Sequence, residues 1–179
     1  MKIHLVWGFF LFLSQGASAE ILLSANYFKY SRQDHPSLGE AVQSEISSYD
    51  INVQLLLSSR FVLGATQMTE TTSQLVQGRR ETLAPNIGFF LGPVLIEGGP
   101  VSKSYERGNL SLPQEWRDGR GYYAALTVYD RWASWLLIGF QFTFLNIEYN
   151  KYFDGSVELV SQTKTVSVLN PAFRLSLVF

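Results

Sequence analysis

The side chains in this sequence that are able to do chemistry fall into three small sets. His35 lies beside Asp34 and close to Ser37. A histidine so placed is a general base suited to acyl chemistry, although an isolated one among polar residues is ordinarily a solvated loop side chain. Arg79 and Arg80 are adjacent, with Lys103 and Arg107 further on; guanidinium groups grip phosphate through paired hydrogen bonds. The third set is Asp50, Asn52, Gln54, Glu97, Gln141, Asn170 and Arg174, polar residues set among apolar neighbours. The chain has no cysteine, so it builds neither a disulfide framework nor a thiolate metal site. With one histidine beyond the N-terminal stretch and scattered carboxylates, no metal site and no cofactor is expected.

What positions the third set is an alternation of period two. In the last stretch, Pro171 to Phe179, the residues Phe173, Leu175, Leu177 and Phe179 alternate with Arg174 and Ser176. A strand sends successive side chains to opposite faces, so one face is wholly apolar and Arg174 lies on the other. The segment Ile46–Ser58 repeats the pattern, with Tyr49, Ile51, Val53, Leu55 and Leu57 against Asp50, Asn52 and Gln54. Apolar residues make up 46% of the chain, aromatic ones 15% and charged ones only 16%. That is little charge for a water-soluble domain, yet no stretch after the first nineteen residues is long and apolar enough for a membrane helix. Strands with one lipid-facing side reconcile the two facts, because each apolar residue is diluted by a polar one. A net charge of −1 gives no reason to expect a nucleic acid partner.

Residues 1–19 carry the pattern of a secretory signal peptide: Lys2, an apolar run from Leu5 to Leu13, and the small residues Ala17-Ser18-Ala19. Residues 20–179 then form one domain with room for eight strands of about ten residues each. The predicted strands are Ile21–Ser31, Ile46–Ser58, Phe61–Glu70, Thr82–Leu91, one starting at Val94, Gly119–Asp130, Trp135–Tyr149 and Gln162–Phe179. In the third, Phe61, Leu63 and Ala65 compete with Val62, Gly64 and Met68 for the outer face. The fifth either carries a bulge at Gly98-Gly99-Pro100 or begins after a turn there; strand length favours the bulge. Polar stretches at Arg32–Glu45, Thr71–Glu81, Glu106–Asp118 and Lys151–Ser161 are expected to be long loops. They alternate with short turns near residues 59, 92 and 132, the last flanked by Trp132 and Trp135, residues suited to a membrane interface.

The alternation of long and short connections and the C-terminal pattern Phe173, Leu175, Leu177, Phe179 resemble those of small Gram-negative outer-membrane β-barrels of the OmpX/OmpA transmembrane type and the OmpW type. The resemblance covers the whole chain after residue 19, at the level of architecture. It implies an eight-stranded antiparallel transmembrane barrel, a Gram-negative outer-membrane location, and a C-terminal strand read by the barrel-assembly machinery after periplasmic chaperones. No peptidoglycan-binding domain is expected after the barrel. The His35 neighbourhood is similar to two lipid A-modifying barrel enzymes, the deacylase and the palmitoyltransferase. However, His35-Pro36-Ser37-Leu38 departs from the deacylase signature, and the palmitoyltransferase's leading amphipathic helix and Asp-Ser pair are missing.

The function expected from these residues is therefore non-enzymatic: a monomeric barrel that stabilises the membrane or makes surface contacts through four extracellular loops. A lumen closed by Asp50, Asn52, Gln54, Glu97, Gln141 and Arg174 goes with it, and Arg174 is expected to pair with Asp50 or Glu97. A narrow channel for small solutes is the alternative, and a lipid A-modifying enzyme centred on His35 a third. Arg79 and Arg80 are expected to touch lipopolysaccharide phosphates from a loop. Outer-membrane lipid and lipopolysaccharide are the expected partners.

Overall fold

The computed structural model describes residues 19–34, 42–57, 60–73, 78–108, 114–159 and 162–179. Residues 1–18, His35, Ser37 and the Ser58-Ser59 turn lie outside the described residues. Ten strands follow one another: β1 (Glu20–Asp34), β2 (Val42–Leu57), β3 (Phe61–Ser73), β4 (Gly78–Leu91), β5 (Val94–Arg107), β6 (Gln114–Ala133), β7 (Leu136–Tyr149), β8 (Lys151–Asp154), β9 (Val157–Leu159) and β10 (Lys164–Val178). Every neighbouring pair is antiparallel, and β10 returns to β1 from Leu22↔Val178 to Tyr27↔Phe173. With β5 also paired to β6, strands β1 to β7 and β10 make a closed ring of eight. The seam is tight at the chain end, where Ile21 and Phe179 exchange backbone hydrogen bonds of 3.0 Å in both directions. Closure leaves the eight ring strands without a free edge, which is what lets β structure cross a bilayer.

The period-two pattern decides the two faces. Ser24, Asn26, Asp50, Asn52, Gln54, Asn86, Glu97, Gln141 and Arg174 are all buried inside the ring. Apolar sequence neighbours of these residues point outward and are bare, including Val53 at 54%, Ile87 at 63% and Phe173 at 70% exposure. Exposed apolar surface on that scale is not tolerated by a water-soluble monomer. It forms a belt around the whole ring. Near the short turns the belt carries aromatic residues: Phe61 packed on Phe89 with ring centroids 4.8 Å apart, and Trp132, Trp135 and Phe179. At its other border Tyr27 pairs with Tyr49 across β1 and β2. Just beyond, the outward positions change to ion pairs: Lys29–Glu45 at 3.0 Å, Arg79–Glu81 at 2.7 Å and Asp118–Lys151 at 2.7 Å. Such exposed pairs add little stability, but they mark where hydrocarbon gives way to water.

The strands run well past that border, which corrects the predicted loops. Arg32 to Asp34 and Val42 to Glu45 pair between β1 and β2, Thr71 to Ser73 extend β3, and Gln114 to Asp118 extend β6. The stretch expected as a loop from Lys151 contains the hairpin β8–β9, and β8 pairs with β6 from Gln114↔Asp154 to Arg117↔Lys151. Beyond the lipid neither face has to be apolar, so the hydrophobic alternation stops while the backbone ladder continues. Two of the three two-residue connections, Gly92-Pro93 and Gly155-Ser156, open on a glycine with φ near +60°, the conformation such tight hairpins favour.

The fifth strand begins at Val94 and continues through the glycines. Its register against β4 slips between Leu83↔Lys103 and Ile87↔Gly98, the four residues Gly99–Ser102 of β5 facing the three residues Ala84–Asn86 of β4, so the bulge expected here is present. A side chain at Gly99 would place its Cβ 2.0 Å from the Pro85 carbonyl oxygen, and backbone cannot yield that much. Gly99→Val is accordingly expected to reduce the folded, heat-modifiable species on gels to a small fraction. Gly108→Ala, whose nearest neighbour would be 3.7 Å away, leaves it unchanged.

Candidate functional site

The interior is layered along the barrel axis. At the turn end Leu22, Val62, Leu95, Tyr129 and Leu137 pack with Leu56, Phe90 and Val178 into an apolar floor, beneath which a mouth of about 280 Å³ opens. Toward the loop end a second apolar layer contains Met68, Ala84, Val101, Tyr123, Leu145 and Ile147. The polar site lies between them.

Arg174, on β10, is its centre, with a side chain fully withdrawn from solvent. Nη1 donates to Glu97 Oε1 on β5, to Gln141 Oε1 on β7 at 2.7 Å, and to Thr127 Oγ1 on β6 at 3.5 Å. Nη2 donates to Gln54 Oε1 on β2 at 3.0 Å and to Ser24 Oγ on β1 at 3.2 Å. Gln54 Nε2 donates to Glu97 and, at 3.3 Å, to Asn86 Oδ1 on β4. Asn86 in turn donates to Thr66 Oγ1 on β3 at 2.7 Å. The web therefore takes in a side chain from every one of the eight ring strands. The Tyr129 ring lies under the guanidinium, 5.8 Å from its carbon. Removing the charges of Arg174 and Glu97 from water is costly, and only this density of hydrogen bonds offsets it.

Of the residues singled out in the sequence, Gln54, Glu97, Gln141 and Arg174 meet directly. The partner of Arg174 is Glu97. Asp50 sits apart, taking a 3.3 Å hydrogen bond from Asn26 Nδ2, and Asn52 accepts from Thr66. Next to Asp50 is a void of about 10 Å³ bordered by Ser48, Glu70, Thr82 and Asn170, room for about one water. The expected lumen network leaves out Ser24, Asn86 and Ser176, although the parity of their strands turns them inward, and Thr127 as well; each alternates with a lipid-facing residue, which is the signal that identifies it. Ser176 joins Ser24 at 2.8 Å and Tyr129 at 3.1 Å.

The arginine pair is the main correction. Arg79 and Arg80 stand on β4, and neighbouring strand positions face opposite ways. Arg79 is outside, bonded to Glu81. Arg80 is buried inside the barrel, bonded to Glu70 Oε2 at 2.7 Å with Glu106 4.0 Å away, and so does not reach lipid. Lys164 closes the same inner cluster on Glu106 and lies 5.8 Å from the Trp116 ring. Above the membrane, the Tyr105 hydroxyl and then Arg117 hold Glu115 below the usual carboxylate range, and a hydrogen bond from Lys151 does the same for Asp118.

A closed antiparallel wall of eight strands, apolar outside and hydrogen-bonded within, defines the class of small transmembrane β-barrels. Two solved outer-membrane proteins are similar to the chain in overall course. OprG from Pseudomonas aeruginosa superposes with a TM-score of 0.45 at 8% identity over 90% of this chain and 95% of that one. The translocator domain of the autotransporter NalP from Neisseria meningitidis gives 0.41 at 10% identity over 97% of this chain and 67% of that one. No protein-family model matches the sequence, and no curated protein is similar to it.

Proposed function

We propose that this protein is a non-enzymatic integral barrel of the Gram-negative outer membrane, with a closed lumen and a surface role exercised through its four loop-side connections. The observation that carries the reading is the Arg174 web, which ties all eight strands across the lumen. A lumen so filled resists the passage of solutes and braces the wall, as the narrow bore of eight strands favours. The wall extending past the Tyr27 and Tyr49 border lifts the connections clear of the bilayer, where they are free to meet partners. Phe173, Leu175, Leu177 and Phe179 supply the C-terminal pattern for the barrel-assembly machinery.

Two measurements test this. In membrane fractionation the full chain is expected in the outer membrane with heat-modifiable gel mobility, and a variant lacking Phe179 is expected to lose assembly. In planar bilayers the refolded protein is expected to pass no stepwise current. Soluble, heat-insensitive protein would sink the membrane assignment; reproducible conductance steps would replace the closed lumen by a narrow channel.

A further inference from the structure

A cleft of about 590 Å³ lies along the wall over β4, β5 and the start of β6, with Gln67 of β3 at one edge. The β5 bulge follows directly after its Leu83↔Lys103 pair. On the other side the β5–β6 register shifts twice, on either side of Ser104↔Gly119, next to Asp118, which adopts φ 55°. Its level is fixed by what lines it. Leu83, exposed and apolar, belongs to the lipid belt, whereas Glu81, the next outward residue on β4, belongs to the ring of ion pairs. The cleft thus spans the boundary between acyl chains and water.

Its charge is one-sided. Glu81 is bonded to Arg79 and Asp118 to Lys151, so both carboxylates already have cations. Arg117 shares Glu115 with Arg107 and stacks 4.3 Å over the Phe153 ring. Lys103 makes no ion pair among the described residues, although it lies within electrostatic reach of Asp118. Among the described residues its ammonium group thus has no direct ion-pair partner at the headgroup level, with Arg117 and Tyr105 bordering the same space.

The geometry points to a seat for the phosphorylated headgroup of an outer-leaflet lipid, with Lys103 as its counter-ion, Arg117 as a further donor, and Leu83 against the first methylenes of its chains. This rests on the outer-membrane reading above. The anion it fits is a phosphate monoester or diester, whose compact charge suits an ammonium point charge.

The test is native mass spectrometry of the full chain released from mild detergent micelles. The probes are a diphosphorylated acylated glucosamine disaccharide, its dephosphorylated form, and inorganic phosphate. The folded barrel is expected to retain the phosphorylated glycolipid and to release the dephosphorylated one. Lys103→Gln lowers retention by about fivefold, the effect of one basic residue at an anionic surface. Lys29→Gln, an exposed lysine on a wall remote from the cleft, leaves it unchanged. Heat-modifiable mobility checks that each variant is folded. Equal retention of both glycolipids, an unaltered Lys103→Gln variant, or the same loss with Lys29→Gln overturns the site. Displacement of the glycolipid by millimolar phosphate assigns the cleft to a soluble anion and overturns its lipid occupant. A wild-type protein without a heat shift sinks the membrane reading itself, whereas an intact shift with unselective retention sinks only this site.

Discussion

Replacing Arg174 by Ala is expected to lower the unfolding free energy of the refolded barrel by about 3–5 kcal/mol. The guanidinium donates to side chains from five other strands, and its removal strands Glu97 as a buried charge without a cation. Glu97 would retain only the Gln54 amide as a donor among the described residues. The cost is dominated by that orphaned carboxylate. Arg174→Gln combined with Glu97→Gln is therefore expected to lose markedly less than the two single changes added together. Urea titration in phosphatidylcholine vesicles, followed by tryptophan fluorescence, gives the numbers. A loss below about 1 kcal/mol for Arg174→Ala would mean that water reaches Glu97, and the closed-lumen proposal would fall with it.

The second large effect is on the outer wall. Val53 is the middle of the outward row Tyr49, Ile51, Val53, Leu55 and Leu57 on β2, and is 54% exposed. In a bilayer Val53→Arg places a charge near the midplane, at a cost of about 2–4 kcal/mol. Ser47→Arg, on the same face beyond Tyr49, is expected to cost at most about 1 kcal/mol. The same urea titrations compare the two. If the protein were water-soluble, a surface arginine at Val53 would change stability by no more than about 0.5 kcal/mol. Equal, small effects at both positions would therefore contradict the membrane belt.

The two effects differ in how far the sequence reveals them. The face of Val53 is readable because lipid forces every second residue of β2 to be apolar while Asp50, Asn52 and Gln54 turn inward. The same rule left β3 undecided: Phe61, Leu63 and Ala65 face lipid, but Val62 and Met68 are also apolar since they fill the two hydrophobic layers of the lumen. Arg80 was misplaced for a third reason. Over Thr71–Ser73 and Gly78–Glu81 the side chains of both faces are polar or absent, as they are free to be outside the bilayer, so no alternation shows that a strand is present. The ends of β1, β2, β5 and β6 were read as loops on the same ground, and the β8–β9 hairpin went unseen.

By itself, the sequence determined that the chain forms amphipathic strands of period two, where most of them lie within the lipid, and which residues share a face. Those are local properties, set by the pleat and by one neighbour on either side. The tertiary structure alone decided the register at which β10 closes on β1, from Leu22↔Val178 to Tyr27↔Phe173, and that Arg174 meets Glu97, 77 positions away, with Asp50 left to Asn26. Partners across a lumen depend on the tilt and stagger of all eight strands at once, and no single stretch of sequence carries that information.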